Sequence, residues 1–323
     1  MNIRRLFLKQ LTGAVLGTNA ALFSLASVAQ TKLLKFLVPL TPGTTPDTIA
    51  RAIGPLVSEK LDMSFVVDNR AGASSMIGMS FVAKSNDPNL LLVIPATTVT
   101  LPLLYKSIDF DVINGFTPIT QVASSSFVLV IHPSVDVKSL NEFVTWTKAN
   151  KNLFYASPGV GTHHHLSMEL LKQITGAQLE HIPYKGSSQA FNDFLGGQVP
   201  CMFMPIQVAV PLEKSGKLKI IGGTLKSRHP DFPEIPSLSE LGAKDFQVDP
   251  WFSIWGPPKM SSVMVDTYRN AILSSLQDTI IKESFKKQGL IIKTSTPAQL
   301  LSLTKAESKL WTKVISLANI QPE

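Results

Sequence analysis

From residue 33 onward the chain alternates short apolar runs with stretches of helical periodicity, and this alternation restricts its fold more than any other feature. Residues 33–38 form the first run. Ile49, Ile53, Leu56, Val57 and Leu61 then recur at helical spacing, with Gly54-Pro55 placed to kink that helix. Residues 65–67, 90–94, 119–122, 127–131, 153–156, 179–182, 199–204 and 218–222 read as further strands. Helices are expected after Ser139, around 166–174, and near 187–195 and 206–215. The last third reads as helical at 262–287 and 297–319, around a strand at 290–292, and Thr45-Pro46 and Thr296-Pro297 each place a capping hydroxyl before a proline in the first turn of a helix. Such alternation predicts α/β architecture with mostly parallel sheets flanked by helices. One sheet with this many strands is too large, so two lobes are expected, with the chain crossing near 124–126 and 249–251. That assigns 30–125 and 251–323 to the first lobe and 126–250 to the second.

The formal charge of +7 does not indicate a nucleic-acid binder. Arg4, Arg5 and Lys9 precede any acidic residue, and removing them from the 30 basic residues leaves 27 against 23 acidic, or +4. The remaining Lys and Arg are scattered, whereas phosphate binding needs them clustered. The single cysteine, Cys201, excludes an intramolecular disulfide and a cysteine metal site; it lies in an apolar run and reads as a core residue.

Residues 1–29 read as a signal peptide. Arg4-Arg5 opens it, an apolar region follows from Leu11, and Ser27-Val28-Ala29 gives a small-x-small cleavage site. The paired arginines fit either the twin-arginine or the general secretory route. Gly13, Gly17, Thr18, Asn19 and Ser24 interrupt the apolar stretch, which argues against a retained anchor. The mature chain is expected outside the cytoplasm and not embedded in a membrane.

Two strand-to-helix loops are rich in Gly, Pro, Ser and Thr. The first holds Thr41, Pro42, Gly43, Thr44, Thr45 and Asp47; the second holds Ser157, Gly159, Val160, Gly161, Thr162 and His165. In open α/β sheets ligands lie at the carboxyl ends of strands, and a helix start offers unpaired N–H groups and a positive dipole end. Each loop therefore suits a carboxylate without Lys or Arg. Either alone is more often an ordinary helix start than a ligand site, and Asp47 more often a helix-dipole partner. Ser74, Ser75, Thr97, Thr98, Tyr184, Lys185 and Met204 are secondary candidates for the pocket wall.

His163-His164-His165 does not read as a metal site. Successive helical residues point about 100° apart, so three in a row do not converge on one ion. No metal and no cofactor is expected. The nucleophile elbow, the His-Glu-x-x-His pattern and the Rossmann glycine fingerprint are all missing from the sequence.

In this setting the chain resembles the Bug family, the solute-binding proteins of tripartite tricarboxylate transport systems. The resemblance covers nearly the whole mature chain. It rests on Phe36-Leu37-Val38-Pro39 through Pro42-Gly43 to Asp47-Thr48-Ile49-Ala50-Arg51, and on Asp68-Asn69-Arg70-Ala71-Gly72-Ala73. Tyr155-Ala156-Ser157-Pro158-Gly159-Val160-Gly161-Thr162 with His165-Leu166 follows, then His181-Ile182-Pro183-Tyr184-Lys185-Gly186 and Gly196-Gly197-Gln198-Val199. The series ends with Pro236-Ser237-Leu238-Ser239-Glu240-Leu241-Gly242 and the stretch from Trp251 to Pro257. The resemblance implies a two-lobed periplasmic binding protein fold of the type II, Venus flytrap kind. It implies a small carboxylate held by main-chain amides of both loops, and membrane transporter subunits, or a sensor kinase, as partner. Three departures stand out: Thr44 replaces a second glycine, Ser74-Ser75-Met76 replaces a glycine-rich run, and Met204 replaces an acid. Loss of that acid disfavours an amino-acid ligand and favours a plainer carboxylate or a more apolar body.

The expectation is a monomeric periplasmic carboxylate-binding protein that is not an enzyme. An exported hydrolase-like enzyme on the same fold, or a ligand-sensing partner of a membrane kinase, are the alternatives.

Overall fold

The computed structural model describes residues 32–322. The export signal expected at 1–29 lies outside the described residues. The first sheet is built from β1 (Leu33–Val38), β2 (Ser64–Asn69), β3 (Leu90–Pro95) and β4 (Thr117–Ser124). Helices α1 (Thr45–Lys60), α2 (Met76–Ala83) and the single turn α3 (Leu101–Leu104) connect them. The chain then enters a second sheet of β5 (Phe127–Ile131), β6 (Phe154–Ser157), β7 (Glu180–Pro183), β8 (Cys201–Pro205) and β9 (Lys219–Gly223). Its helices are α4 (Leu140–Ala149), α5 (His163–Thr175), α6 (Ser187–Leu195) and α7 (Ile206–Lys214). A long irregular segment leads back to the first sheet through β10 (Trp251–Gly256), followed by α8 (Ser262–Ser275), α9 (Thr279–Lys287), β11 (Ile291–Ile292) and α10 (Pro297–Leu317).

The strand orders are β11-β4-β10-β3-β1-β2 and β7-β6-β8-β5-β9. The two-lobed α/β class stands, but the expected strand sense needs correction: both sheets are mixed rather than mostly parallel. β1 runs parallel to β2 and β3, and β6 parallel to β7 and β8, as strand–helix–strand units require. β10 is antiparallel to both β3 and β4, and β5 to both β8 and β9. β5 and β10 are the strands that arrive by crossing from the other lobe. No helical crossover constrains their direction.

Local chemistry explains the elements. β3 and β5 are apolar along nearly their whole length and buried on both faces. Helix α1 stays continuous through Pro55 and turns Ile49, Ile53 and Val57 fully inward. Gly54 faces β2 so closely that a Cβ there would lie 1.9 Å from the Phe65 ring. The single helix expected over 262–287 is two, because Asp278 caps α9 by accepting from the amides of Ile280 and Ile281. At α10 the expected Thr-Pro start is complete: Thr296 accepts from the Gln299 amide and Gln299 accepts from the Thr296 amide. At α1 the cap is one residue earlier than expected, at Thr44, whose hydroxyl donates to the Thr41 carbonyl.

One apolar cluster lies between the first sheet and α1, α8 and α9, and another between the second sheet and α6 and α7. A third runs from Leu92 and Trp255 in one lobe to Phe143 and Phe203 in the other. Helix α10 helps to join them. It packs on β4 and also on α5, where Gln173 donates to the Val314 carbonyl at 3.0 Å.

Candidate functional site

The two loops singled out in the sequence fold differently. In the first, Thr41, Pro42 and Gly43 are exposed. The Gly43 amide donates to Asp47 Oδ2 at 2.8 Å, and the same carboxylate receives Arg51 and Asn69 at 3.0 and 2.9 Å. Burial pushes the Asp47 carboxyl up, but the bonds from Arg51, Gly43 and Asn69 outweigh it and hold the group below the usual range. Asp47 is thus committed to shaping its own loop.

The second loop rests on a polar network. Ser157 is fully buried, its Oγ 2.9 Å from the Gly159 carbonyl and 2.7 Å from His181 Nε2. His181 stacks on His165 with centroids 3.8 Å apart. His165 Nδ1 accepts from the Gly161 amide at 3.0 Å. Burial lowers both imidazoles, His165 to about 4 and His181 to about 3, so both are neutral at physiological pH. Beneath them Tyr155 donates to Glu169, which pairs with Lys172. Gly161 has φ +74, and a Cβ there would lie 2.2 Å from Leu104 of α3, so the loop presses on the other lobe where only glycine fits. Thr162 caps α5, accepting from the His165 amide.

Two neighbouring cavities lie between the lobes. The first, about 200 Å³, is lined by Leu40, Ser74, Ser75, Thr97, Thr98 and Tyr105 from the first lobe and Val160, Gly161 and Thr162 from the second. The Thr98 and Thr162 hydroxyls donate to backbone carbonyls, and Ser74 bonds to the Tyr105 hydroxyl at 2.5 Å. Ser74 and Ser75 hold φ of +52 and +84, conformations that glycine adopts freely and serine does not. Leu101, Leu104 and Tyr105 were missed in the sequence because α3 is too short to leave a periodic signal.

The second cavity, about 270 Å³, is the more enclosed. Thr45 at the start of α1 and His163 and His164 at the start of α5 reach it, as do Ser187 and Gln207 from the starts of α6 and α7. Its walls are aromatic: Phe127, Phe191, Trp251 and Phe252. His164 lies 4.2 Å from Phe127 between ring centroids. Burial lowers His163 to about 4 and His164 to about 3, and the Nε2 atoms of both lack a hydrogen-bond partner, as does Gln207 Oε1. Phe127 and Trp251 each stand directly after a crossing between sheets, a position that marks them once the crossings are known.

Of the residues singled out beforehand, Thr45, Ser74, Ser75, Thr97, Thr98, Val160, Gly161 and Thr162 line one or other cavity. Thr41, Pro42, Gly43, Thr44 and Asp47 do not, nor do Ser157, Gly159 and His165, which shape the second loop from within. Tyr184 is turned to Asp193, its hydroxyl donating at 2.8 Å, and Lys185 is exposed. Met204 is fully buried among Val128, Ala156 and Ala209. Among the described residues no cluster of three His, Cys, Asp or Glu side chains is placed to hold a metal, and no helix is long and apolar enough to cross a membrane.

A solute in either cavity would touch both lobes at once, which is how periplasmic binding proteins hold their ligands, and the fold is theirs. The periplasmic binding protein BugD has a similar structure, with a TM-score of 0.73 and 27% identity over 90% of this chain and 99% of that one. The R. palustris protein Rpa4515, solved with adipate, gives 0.77 and 27% over 91% and 99%. The profile of the tripartite tricarboxylate transporter family receptor matches residues 49–320, and the chain belongs to that family of solute-binding proteins. Protein BugT of Bordetella pertussis (strain Tohama I) is 30% identical over 286 residues, 87% of this chain and 88% of BugT.

Proposed function

We propose that this protein is exported to the periplasm, captures a small carboxylate between its lobes and delivers it to the membrane subunits of a tripartite transporter, acting as a monomer and without catalysis. The lobes are 30–125 with 251–323, and 126–250. One observation carries the reading: α1 and α5, from opposite lobes, both begin at the enclosed cavity, at Thr45 and at His163 and His164. Helix starts stabilise an anion through free amides and the dipole. Neither cavity lining includes Asp, Glu, Lys or Arg among the described residues, and the Asp47 carboxylate in the first turn of α1 is offset by its pairing with Arg51. The adipate bound by Rpa4515 supports a ligand of this class. Hinge motion at the two crossings closes the lobes over it.

The Ser157–His181 pair does not favour the hydrolase reading. The Ser157 hydroxyl is buried beneath its loop, and an imidazole neutral down to about pH 3 is a weak base.

The test is a thermal-shift panel of carboxylic acids, with neutral amides of the same acids as controls. A cognate acid at a hundred times its Kd adds about 2.7 kcal/mol of stability, and the matching amide adds none. Equal shifts with acid and amide would overturn the reading.

A further inference from the structure

We propose that the turn closing α9, residues 286–290, is a latch that holds the two lobes together and shuts one side of the enclosed cavity; this rests on the reading that the lobes part at the two crossings. The turn is firmly built within its own lobe. Gly289, with φ +66, ends α9 in left-handed backbone. Its amide donates to the Lys286 carbonyl at 3.0 Å, and the Leu290 amide donates to the Phe285 carbonyl at 2.9 Å. Gln288 Oε1 accepts from the Thr48 hydroxyl at 2.7 Å, which pins the turn to α1.

The same turn meets the second lobe at two points. A Cβ on Gly289 would lie 2.6 Å from Gln207 Oε1 and 3.0 Å from Gln207 Cβ, so the turn sits flush against the start of α7. Lys286 Nζ stands 3.5 Å from Asp231 Oδ1. His229 is almost fully buried, and its Nδ1 accepts from the Asp231 amide at 3.1 Å, which fixes the turn that presents this carboxylate. Gln207, Gln288 and Leu290 all line the enclosed cavity, so parting this contact opens that wall.

Both contacts are made by side chains or by a bare glycine. Among the described residues no main-chain hydrogen bond joins 286–290 to the second lobe, whereas at the crossings the Ser125 amide donates to the Pro250 carbonyl at 2.8 Å. The crossings therefore serve as the pivot, and the turn can separate without breaking a backbone bond. The ion pair is exposed and contributes little. The close fit at Gly289 carries more: the end of the Gln207 side chain can swing away from an added methyl, but its Cβ cannot.

Pulsed electron paramagnetic resonance on the purified mature protein, without added solute, tests this. Spin labels at Lys60→Cys and Lys151→Cys, one exposed site on each lobe, read the lobe separation, and Cys201 is buried and stays unlabelled. Gly289→Ala is expected to raise the ratio of long to short distances about tenfold, and Lys286→Glu about threefold. Gln207→Gly, which deletes every crowding atom, is expected to return the Gly289→Ala ratio to that of the unaltered protein. Asp231→Lys is expected to do the same for Lys286→Glu. Strain confined to position 289 would not be relieved by a change in the other lobe. Ratios that neither substitution moves, or that stay moved after the compensating change, overturn the latch, as does a wholly long distribution in the unaltered protein. If Gly289→Ala does not fold, the Lys286–Asp231 exchange decides. Because no acid is added, failure here leaves the carboxylate reading to its own panel, and failure of that panel leaves the latch standing.

Discussion

At the scale of single residues, Ser74 and Ser75 are informative because they are strained. Both occupy left-handed backbone at the first cavity. Ser75→Gly removes a Cβ from a conformation that disfavours it, and is expected to raise stability by about 1 kcal/mol. If the hydroxyl serves the ligand, the same change weakens binding; denaturant titration and calorimetry on one sample read both. Glu307 is a second such residue. It is buried on α10, and burial together with nearby Asp249 raises its carboxyl to about 8, against smaller opposing effects of the Trp251 and Trp311 indoles. The unfolded chain loses this proton near the usual carboxylate pKa, whereas the folded one keeps it to about pH 8. Stability from Glu307 is therefore full below about pH 4.5 and lost as pH rises through 8. Glu307→Gln should flatten the fall in melting temperature between pH 5 and pH 9, an effect of the order of a few kcal/mol. An unchanged slope would count against the assignment.

At the scale of elements, the capping box of α10 permits a clean test. Thr296→Ala removes one of its two reciprocal bonds and should cost about 1 kcal/mol, lowering the melting temperature by about 2 °C. This helix start was legible because a hydroxyl stands directly before a Pro; the part of Gln299 shows only in the structure. The start of α1 was displaced by one residue because Thr44 and Thr45 are chemically equivalent, and only the Thr44–Thr41 bond chooses between them. Long buried strands such as β3 and β5 were equally plain from their unbroken apolar runs. Strand direction was not, because β5 and β10 are placed by contacts across the chain that no local period records. The second loop was recognisable at Ser157 to Thr162. That Ser157 and His165 turn beneath it depends on His181, 16 residues beyond His165 and on another strand. The aromatic wall of the enclosed cavity is assembled from three separate segments, so nothing in any one of them signals it.

At the scale of the whole molecule, α10 ties the lobes together. Trp311 is fully buried in the apolar cluster that spans both, 6.0 Å from the ring of His163. Trp311→Ala should cost about 3–5 kcal/mol, seen as a lower urea midpoint. A loss below about 1 kcal/mol would mean that the lobes cohere without this contact. The placement of β10 also bears on how the chain is made. β5 to β9 come from one unbroken stretch, 127–223, whereas the first sheet lacks the strand between β3 and β4 until residue 256 has been synthesised. On the ribosome, β3 and β4 must wait with bare edges while the later-made lobe closes first. The nascent amino-terminal third is thus the part that most needs shielding from other chains.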